Sequence, residues 1–366
     1  MRWQTQLLDG SPAADQSAPP QPLIKLSSLV RSVSTPEFDG ITFHEVVAKT
    51  ALNHVPVTSR MLPGAWTVNP YRGCSHACVY CYARNTHRYI DLDTGADFDS
   101  QIVVKVNVAE VLARELTTMR ELPERVALGT NTDPYQRAEG RYRLMPGIIE
   151  ALAARQVPFS ILTKGTLLRR DLSLLADVNA TCPVSLAMSI AVFDDELQQS
   201  LEPGTPSTAA RLATVGQIRD LGMDCAVFLA PIVPGLTDTI EHLDRALEQI
   251  KAAGGTSIFY TALRLGADVK EWYVTWLARD HPELVGRYQE LYGGSSSVPQ
   301  TYRRSLDARM QVLLRRHGLP GGADGSPDAN RAAAEKFSLD RSASRAAASV
   351  RAGVAAERPK GQPQLF

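Results

Sequence analysis

Between residues 65 and 262, short apolar runs alternate with segments in which apolar residues recur at helical spacing. Val108, Val111, Leu112 and Leu116 illustrate the helical pattern, because residues three and four apart share one helix face. The predicted strands span residues 65–71, 125–128, 157–162, 184–192, 225–230 and 257–262, and the predicted helices span residues 108–119, 146–155, 168–178, 208–221 and 240–250. Six strands alternating with five helices predict an α/β fold of parallel βα units with right-handed crossovers.

A cysteine-rich loop follows the first predicted strand. Residues 71–84 read Y-R-G-C-S-H-A-C-V-Y-C-Y-A-R, with Cys74, Cys78 and Cys81 in the spacing C-x3-C-x2-C. A compact loop with this spacing can direct three thiolates toward one soft metal centre. A cubane iron–sulfur cluster usually takes four thiolates, and no fourth cysteine lies nearby, so one iron would keep a free position. The loop also lies at the carboxyl end of the first predicted strand.

A structural zinc site is the alternative for the same loop. Three cysteines with His76 or His87 would form a closed Cys3His site. Structural zinc motifs usually contain paired C-x2-C knuckles, which this loop lacks. Cys182 and Cys225 stand in apolar surroundings, and we expect both to be buried structural thiols.

The longer run N-P-Y-R-G-C-S-H-A-C-V-Y-C-Y-A-R resembles the radical S-adenosylmethionine (SAM) superfamily, including the aromatic Tyr80 before the last cysteine. It is most similar to the branch related to spore photoproduct lyase, in particular to its uncharacterised actinobacterial-type members. The resemblance extends over about residues 40–292. It implies a partial (βα)6 TIM-like barrel in which Cys74, Cys78 and Cys81 hold a [4Fe–4S] cluster.

The resemblance also implies an activity. The open iron of such a cluster chelates SAM, and an electron from a donor such as a flavodoxin or ferredoxin cleaves the cofactor reductively. The resulting 5′-deoxyadenosyl radical would abstract hydrogen from an organic substrate. The resemblance does not identify this substrate, although a nucleic-acid base or its precursor is one candidate.

Positions for SAM at the strand ends are implied by the same resemblance. The candidates are Tyr80 beside the adenine, Thr130, Thr132 and Asp133 beside the methionine amino group, Lys164 beside the carboxylate, and Ser185 or Ser189 beside the ribose. Each has a plainer alternative, because Asp-Pro pairs start turns, most lysines are solvated and small hydroxyls fill barrel interiors. No catalytic residue is implied.

Three further charged residues are candidates for a role at the site. Glu202 and Arg211, in L-E-P-G-T-P-S-T-A-A-R-L, also match this branch, and they could equally form a structural pair. Arg264 follows the last predicted strand, where it would either reach a substrate phosphate or carboxylate or form a salt bridge.

One departure from the family pattern limits the comparison. Spore photoproduct lyase has a cysteine hydrogen-atom donor beside the segment that follows the second strand. This sequence has G-T-N-T-D at residues 129–133, with no thiol. We therefore do not expect the same repair reaction.

The amino-acid composition limits the classes of partner that we expect. Lys and Arg total 39, as do Asp and Glu, so the formal net charge is zero and no global attraction to nucleic acid is expected. A local basic groove is compatible with this balance. The N-terminus lacks the apolar core of a signal peptide, and no run approaches the roughly 18 apolar residues of a membrane span. We expect a cytoplasmic protein with no membrane partner.

Composition also suggests a division of the chain. We predict a flexible arm over residues 1–37, a leader packed on the core over 38–64, and the radical SAM core over 65–263. A helical extension over 264–317 and a disordered tail over 318–366 would complete the chain.

Two hypotheses follow. The first is a radical SAM enzyme. The second is a non-catalytic zinc module that binds nucleic acid through the basic helix carrying Arg303, Arg304 and Arg309.

Overall fold

A computed structural model describes residues 28–58 and 64–323. The strands are β1 (Leu29–Ser34), β2 (Thr42–Val46), β3 (Leu52–His54), β4 (Trp66–Val68), β5 (Tyr71–Arg72), β6 (Gln101–Lys105), β7 (Val126–Leu128), β8 (Phe159–Thr163), β9 (Val184–Ser189), β10 (Cys225–Ile232), β11 (Ser257–Ala262) and β12 (Gly321–Ala323). The α-helices are α1 (Ala96–Ser100), α2 (Val108–Thr118), α3 (Arg137–Tyr142), α4 (Leu144–Ala154), α5 (Leu172–Asn179), α6 (Asp195–Leu201), α7 (Thr208–Asp220), α8 (Ile240–Ala252), α9 (Ala267–Asp280), α10 (Val285–Tyr292) and α11 (Gln300–His317). A 3-10 helical segment (Tyr82–Ile90) follows the cysteine loop.

The eight-stranded sheet forms the partial barrel. Its order is β12-β11-β10-β9-β8-β7-β4-β3, and every pair is parallel except β3 with β4. The six central strands and the connecting helices α2, α4, α5, α7 and α8 confirm the predicted βα repeat. Because all six strands run in one direction, the segments that follow them meet at one edge of the barrel.

The first predicted strand differs from the observed one. Residues 65–71 do not form one strand, because β4 ends at Val68 and β5 belongs to the second sheet. Pro70 lies between them and has no N–H to continue the ladder. The chain therefore leaves the barrel before it enters the cysteine loop.

A second, four-stranded sheet has the order β1-β2-β6-β5. Strand β1 falls within the predicted flexible arm, so residues 29–34 are a correction to that prediction. Its cross-strand pairs are mixed: Arg31 with Glu45 and Ser32 with His44 are polar, whereas Leu29 with Val46 and Val33 with Phe43 are apolar. The composition of residues 10–36, rich in Ser, Pro, Ala and Gln, predicts a flexible arm instead.

The C-terminal end also contains an element that was not predicted. Residues 321–323 lie in the predicted disordered tail but form β12, parallel to β11. A Cβ on Gly321 would lie 2.4 Å from the main-chain oxygen of Ile258, so this close pairing requires glycine. The rest of that tail and residues 1–27 of the arm lie outside the described residues.

Alternation along the barrel strands separates two faces. In β8, β10 and β11, buried residues alternate with half-buried ones. The buried side chains pack against helices, as Leu112 and Ile148 do from the helical side. The half-buried side chains, such as Ser160 and Phe228, line the barrel interior. In the described part of the chain, no helix is long and apolar enough to cross a membrane.

Candidate active site

The cysteine loop begins directly after β5. Cys74 and Cys78 are buried and Cys81 is half-buried. Gly73, just before the first cysteine, has a φ of 84°. A Cβ there would lie 2.9 Å from the His87 ring, so glycine is required both by conformation and by space.

Arg84 braces this loop from inside the protein. Its side chain is fully buried, and its Nε and Nη2 donate to the main-chain oxygen of Cys78 at 3.1 and 3.0 Å. Nη2 also pairs with Asp99 at 2.9 Å. The guanidinium lies 5.2 Å from the Phe98 ring and 5.0 Å from the Trp272 ring. Arg84 is part of the cysteine motif, but sequence reasoning gave it no role.

Burial controls the protonation of the thiols. It raises the pKa of Cys78 well above the ordinary value, and the charge of Glu202 raises it further. Burial also raises the pKa of Cys81 to about 11. These thiols are therefore protonated near neutral pH in the metal-free protein, and metal ligation would release their protons.

The two histidines considered for zinc have other contacts. Burial lowers the pKa of His76, but Asp133 and Cys74 outweigh it and raise the value to about 10. These contacts favour the protonated ring, which would have to lose a proton before it could bind a metal. The Nε2 atom of His87 lies 3.0 Å from the main-chain oxygen of Gln101. Over the described residues, no three His, Cys, Asp or Glu side chains are grouped to hold a single metal ion.

Asp133 stabilises the turn after β7. Its carboxylate accepts from the main-chain N–H of Tyr135 at 2.8 Å and of Lys164 at 2.6 Å, and from the Thr163 hydroxyl at 2.5 Å. His76 lies 3.4 Å away on the same carboxylate. Both carboxylate oxygens of Asp133 are therefore engaged by neighbouring groups. This is the turn-stabilising role that was the alternative to binding SAM.

The neighbouring threonines differ. Thr132 is buried and donates to the main-chain oxygen of Gly73 at 2.7 Å. The Gln136 side-chain amide donates to the Thr132 hydroxyl at 2.9 Å and to the main-chain oxygen of Gly73 at 3.0 Å. These bonds attach the segment after β7 to the start of the cysteine loop. Thr130 is half-buried, and its main-chain oxygen accepts from the Tyr82 hydroxyl. Gln136 was not singled out in the sequence.

A buried ionic cluster lies at the ends of β8 and β9. Lys164 Nζ donates to Ser189 Oγ at 2.6 Å and lies 3.5 Å from Glu202 Oε1. Arg211 Nη1 pairs with Glu202 Oε2 at 2.8 Å. The Tyr80 hydroxyl donates to the same carboxylate, and Lys164 Nζ stands 5.6 Å from the Tyr80 ring centre. The cluster thus joins the cysteine loop to two strand ends.

This cluster has more positive than negative charge. Burial raises the pKa of Glu202, but Arg211 and Lys164 outweigh burial and lower it to about 2. Two cations therefore share one ionised carboxylate. Arg211 is fully buried, and its Nε and Nη2 have no hydrogen-bond partner in the part of the chain that the structure describes. The arrangement fits an additional anion, such as the carboxylate of SAM, because buried N–H groups require an acceptor.

The two serines of β9 lie at opposite ends of the strand. Ser189 is the last residue of β9 and contacts Lys164, whereas Ser185 is the second. Four residues of strand separate them by about 13 Å. Of the two serines predicted as ribose contacts, Ser189 is therefore the one beside Lys164, and Ser185 lies toward the other end of the barrel.

The other cysteines and the basic helix complete the comparison with the sequence. Cys182 and Cys225 are buried, as expected. On α11, Arg303 and Arg304 are exposed, but Arg309 donates to the main-chain oxygen of Asp238 at 2.6 Å. Arg309 is therefore held by a hydrogen bond within the protein. It contributes less to the basic surface that was predicted for this helix.

Comparisons with known proteins now identify the class. Residues 68–254 match the radical SAM superfamily. Uncharacterised proteins of Mycobacterium tuberculosis and Mycobacterium bovis are each 53% identical over 335 residues, covering 91% of this chain and 97% of theirs.

Solved structures share the fold. A cysteine-to-serine variant of spore photoproduct lyase has a TM-score of 0.56 at 16% identity, covering 77% of this chain and 81% of that chain. Another variant, with bound AdoMet and dinucleoside spore photoproduct, has a TM-score of 0.55 at 16% identity, covering 74% and 80%. The suspected relationship and the barrel are confirmed, and the non-catalytic zinc module is set aside. The chain belongs to the radical SAM superfamily and is an enzyme whose cofactors are a [4Fe–4S] cluster and SAM.

Proposed function

We propose that this enzyme abstracts a hydrogen atom from an organic substrate bound in the barrel interior. One electron from a donor such as a flavodoxin or ferredoxin would cleave bound SAM to methionine and a 5′-deoxyadenosyl radical, and the hydrogen taken from the substrate would end in 5′-deoxyadenosine. The observation that carries the proposal is the position of the cysteine loop beside a buried cluster with surplus positive charge.

Each part of the site has a proposed task. Cys74, Cys78 and Cys81 hold the cluster. Because they supply three thiolates and the cluster has four irons, one iron remains open for SAM. Lys164 and Arg211 bind the methionine carboxylate, because each presents buried positive charge at the barrel mouth.

Neighbouring side chains orient these groups. Ser189 fixes the Lys164 ammonium and supplies a hydroxyl toward the ribose. The Tyr80 ring is placed for the adenine while its hydroxyl is held by Glu202. Thr130 is the half-buried candidate for the methionine amino group. Thr132 and Asp133 support that segment from behind, through contacts to Gly73 and Lys164.

A nucleic-acid base or its precursor is the proposed substrate class. Its support is the fold shared with spore photoproduct lyase, one structure of which has bound dinucleoside spore photoproduct. The same repair reaction is not proposed. The segment after β7 has no thiol, and Cys225 stands at the start of β10, at the opposite end of the barrel.

Lys164→Met tests the cofactor site without removing an iron ligand. After anaerobic reconstitution, we expect normal iron content but SAM affinity reduced by roughly tenfold or more, because one charge-assisted contact is lost. Isothermal titration and assay for 5′-deoxyadenosine after reduction measure both effects. Lys251→Met, on α8, is the matched control. Unchanged SAM affinity in Lys164→Met would exclude this assignment.

A further inference from the structure

A cavity of about 300 Å³ lies where β11 ends. It is lined by Thr261 and Arg264 at the end of the strand, by residues 295–297 and by Arg303. Its lining contains two guanidinium groups and three consecutive serines but no carboxylate. Because β11 is parallel to the other barrel strands, the cavity opens at the same barrel edge as the cysteine loop.

Hydrogen bonds fix the serine segment against the strand end. The main-chain N–H of Leu265 donates to the oxygen of Ser296 at 2.9 Å, and Arg264 forms a β-bridge with Ser297. Lys270 Nζ donates to the main-chain oxygen of Ser295 at 2.8 Å. The serines are therefore part of an ordered wall.

Positive charge concentrates on one side of this cavity. Arg303 lies in the first turn of α11, and its side chain is exposed, with no hydrogen bond or ion pair to any described residue. The helix is 18 residues long, its N-cap Pro299 supplies no side-chain acceptor, and its first turn has no acidic residue. Its positive end thus adds to the Arg303 charge.

Strand alternation connects the cavity with the barrel interior. The Tyr260 hydroxyl donates to Asp307 of α11, so Tyr260 points outward. Thr261, the next residue, points inward. Phe259 also points inward and packs on Phe228 with 4.6 Å between ring centres. Thr261, which lines the cavity, therefore lies on the same face of β11 as Phe259.

We propose that this cavity binds a phosphate group of the substrate, which would place the attached organic part in the barrel interior. Guanidinium groups, hydroxyls and a helix N-terminus are the donors that recognise phosphate oxygens. The proposal deepens the proposed function and depends on it for the identity of the ligand as substrate. A nucleoside monophosphate and a phosphodiester of a short strand offer the same chemistry.

The test measures binding to the reconstituted holoprotein without reductant. The probes are thymidine 5′-monophosphate, a single strand of six thymidines, and uncharged thymidine. Arg303→Gln removes the cavity guanidinium that has no partner among the described residues, and Arg304→Gln is the matched control, because Arg304 is exposed on the same helix but does not line the cavity. Fluorescence anisotropy or isothermal titration provides the Kd.

We expect a phosphate-bearing probe to bind in preference to thymidine, with Arg303→Gln raising the Kd roughly tenfold and Arg304→Gln leaving it unchanged. Binding of the monophosphate would identify a small phosphate ester, and binding of the strand alone would identify a polymer. Equal losses in both variants, equal binding of thymidine, or no binding of either phosphate probe would overturn the proposal. Because no SAM cleavage is measured, such a result is distinguishable from failure of the radical activity.

Discussion

At the scale of single residues, the site depends on side chains that satisfy buried charge. Arg84 supports the main chain of Cys78, and Glu202 joins Lys164 to Arg211. Removing one member of such a group leaves its partners without compensation in a low-dielectric interior. Such a substitution is therefore expected to change the geometry of the site as well as to lower the stability of the protein.

Arg84→Lys retains the charge but removes the planar fork that holds the Cys78 oxygen and Asp99. We expect a stability loss of about 2–3 kcal/mol and less iron bound after reconstitution. Urea unfolding and iron analysis measure these effects. Arg88→Lys is the control, because Arg88 is 64% exposed and pairs with Asp268 at the surface. Full iron content in Arg84→Lys would contradict the bracing role.

Glu202 makes stability depend on acid pH. Its pKa is about 2 in the folded protein and 4.5 in the reference state, so ionised Glu202 stabilises the fold above pH 4.5. This contribution is lost as the pH falls from 4.5 toward 2. Glu202→Gln should cost about 3–5 kcal/mol and flatten the dependence of the unfolding free energy on pH in that window.

Urea unfolding between pH 6 and pH 3 measures the slope for each variant (about half-unit steps suffice). Glu248→Gln, an exposed change on α8, should retain the wild-type slope. An equally steep slope in Glu202→Gln would show that other carboxylates account for the acid sensitivity.

At the scale of elements, the site is assembled by close contacts between segments far apart in sequence. A Cβ on Gly204, after α6, would lie 2.0 Å from the main-chain oxygen of Ser75 in the cysteine loop. The main-chain N–H of Gly204 also donates to the oxygen of His76 at 3.0 Å. The segment after α6 therefore packs against the main chain of the cysteine loop and fixes its position.

Gly204→Ala should displace that loop, because the obstructing atom is main chain and cannot rotate away. We expect a destabilisation of about 1–3 kcal/mol together with reduced iron binding. Gly216→Ala within α7 is the control, since the nearest atom to its Cβ would be 3.9 Å away. That change should stabilise the protein by about 0.5–1 kcal/mol. Normal iron binding in Gly204→Ala would show that the segment after α6 does not fix the position of the cysteine loop.

Local sequence signals predicted the barrel well but not its additions. Apolar runs and helical periodicity are properties of neighbouring residues, so β8 and α8 could be found directly. Strand β1 adjoins a segment rich in Ser, Pro, Ala and Gln, and β12 is three residues long with two glycines, so composition did not indicate a strand at either place.

The site was predictable to the extent that its chemistry is local. The cysteine spacing lies within eight residues, whereas the Tyr80–Glu202 contact joins residues 122 positions apart. Glu202 and Arg211 could be noted in the sequence, but their link to Lys164 required the fold. The sequence also left Ser185 and Ser189 as equal candidates, because it did not show where β9 ends.

At the scale of the whole molecule, the parallel strands bring three features to one barrel edge. These are the cysteine loop, the buried cluster around Glu202 and the cavity beside Arg303. Their order across the sheet, from β4 through β8 and β9 to β11, follows the strand order. We propose that cofactor and substrate bind along this edge.

The most direct test of this account compares Cys78→Ala with Cys182→Ala after anaerobic reconstitution and reduction. Both residues are buried cysteines, but only Cys78 belongs to the proposed cluster loop. The measurement is 5′-deoxyadenosine formed from SAM, with iron content and the electron paramagnetic resonance spectrum of the reduced cluster determined in parallel. We predict that wild type and Cys182→Ala bind the cluster and form the nucleoside, while Cys78→Ala does neither. Nucleoside formation by Cys78→Ala at the wild-type level would contradict the account.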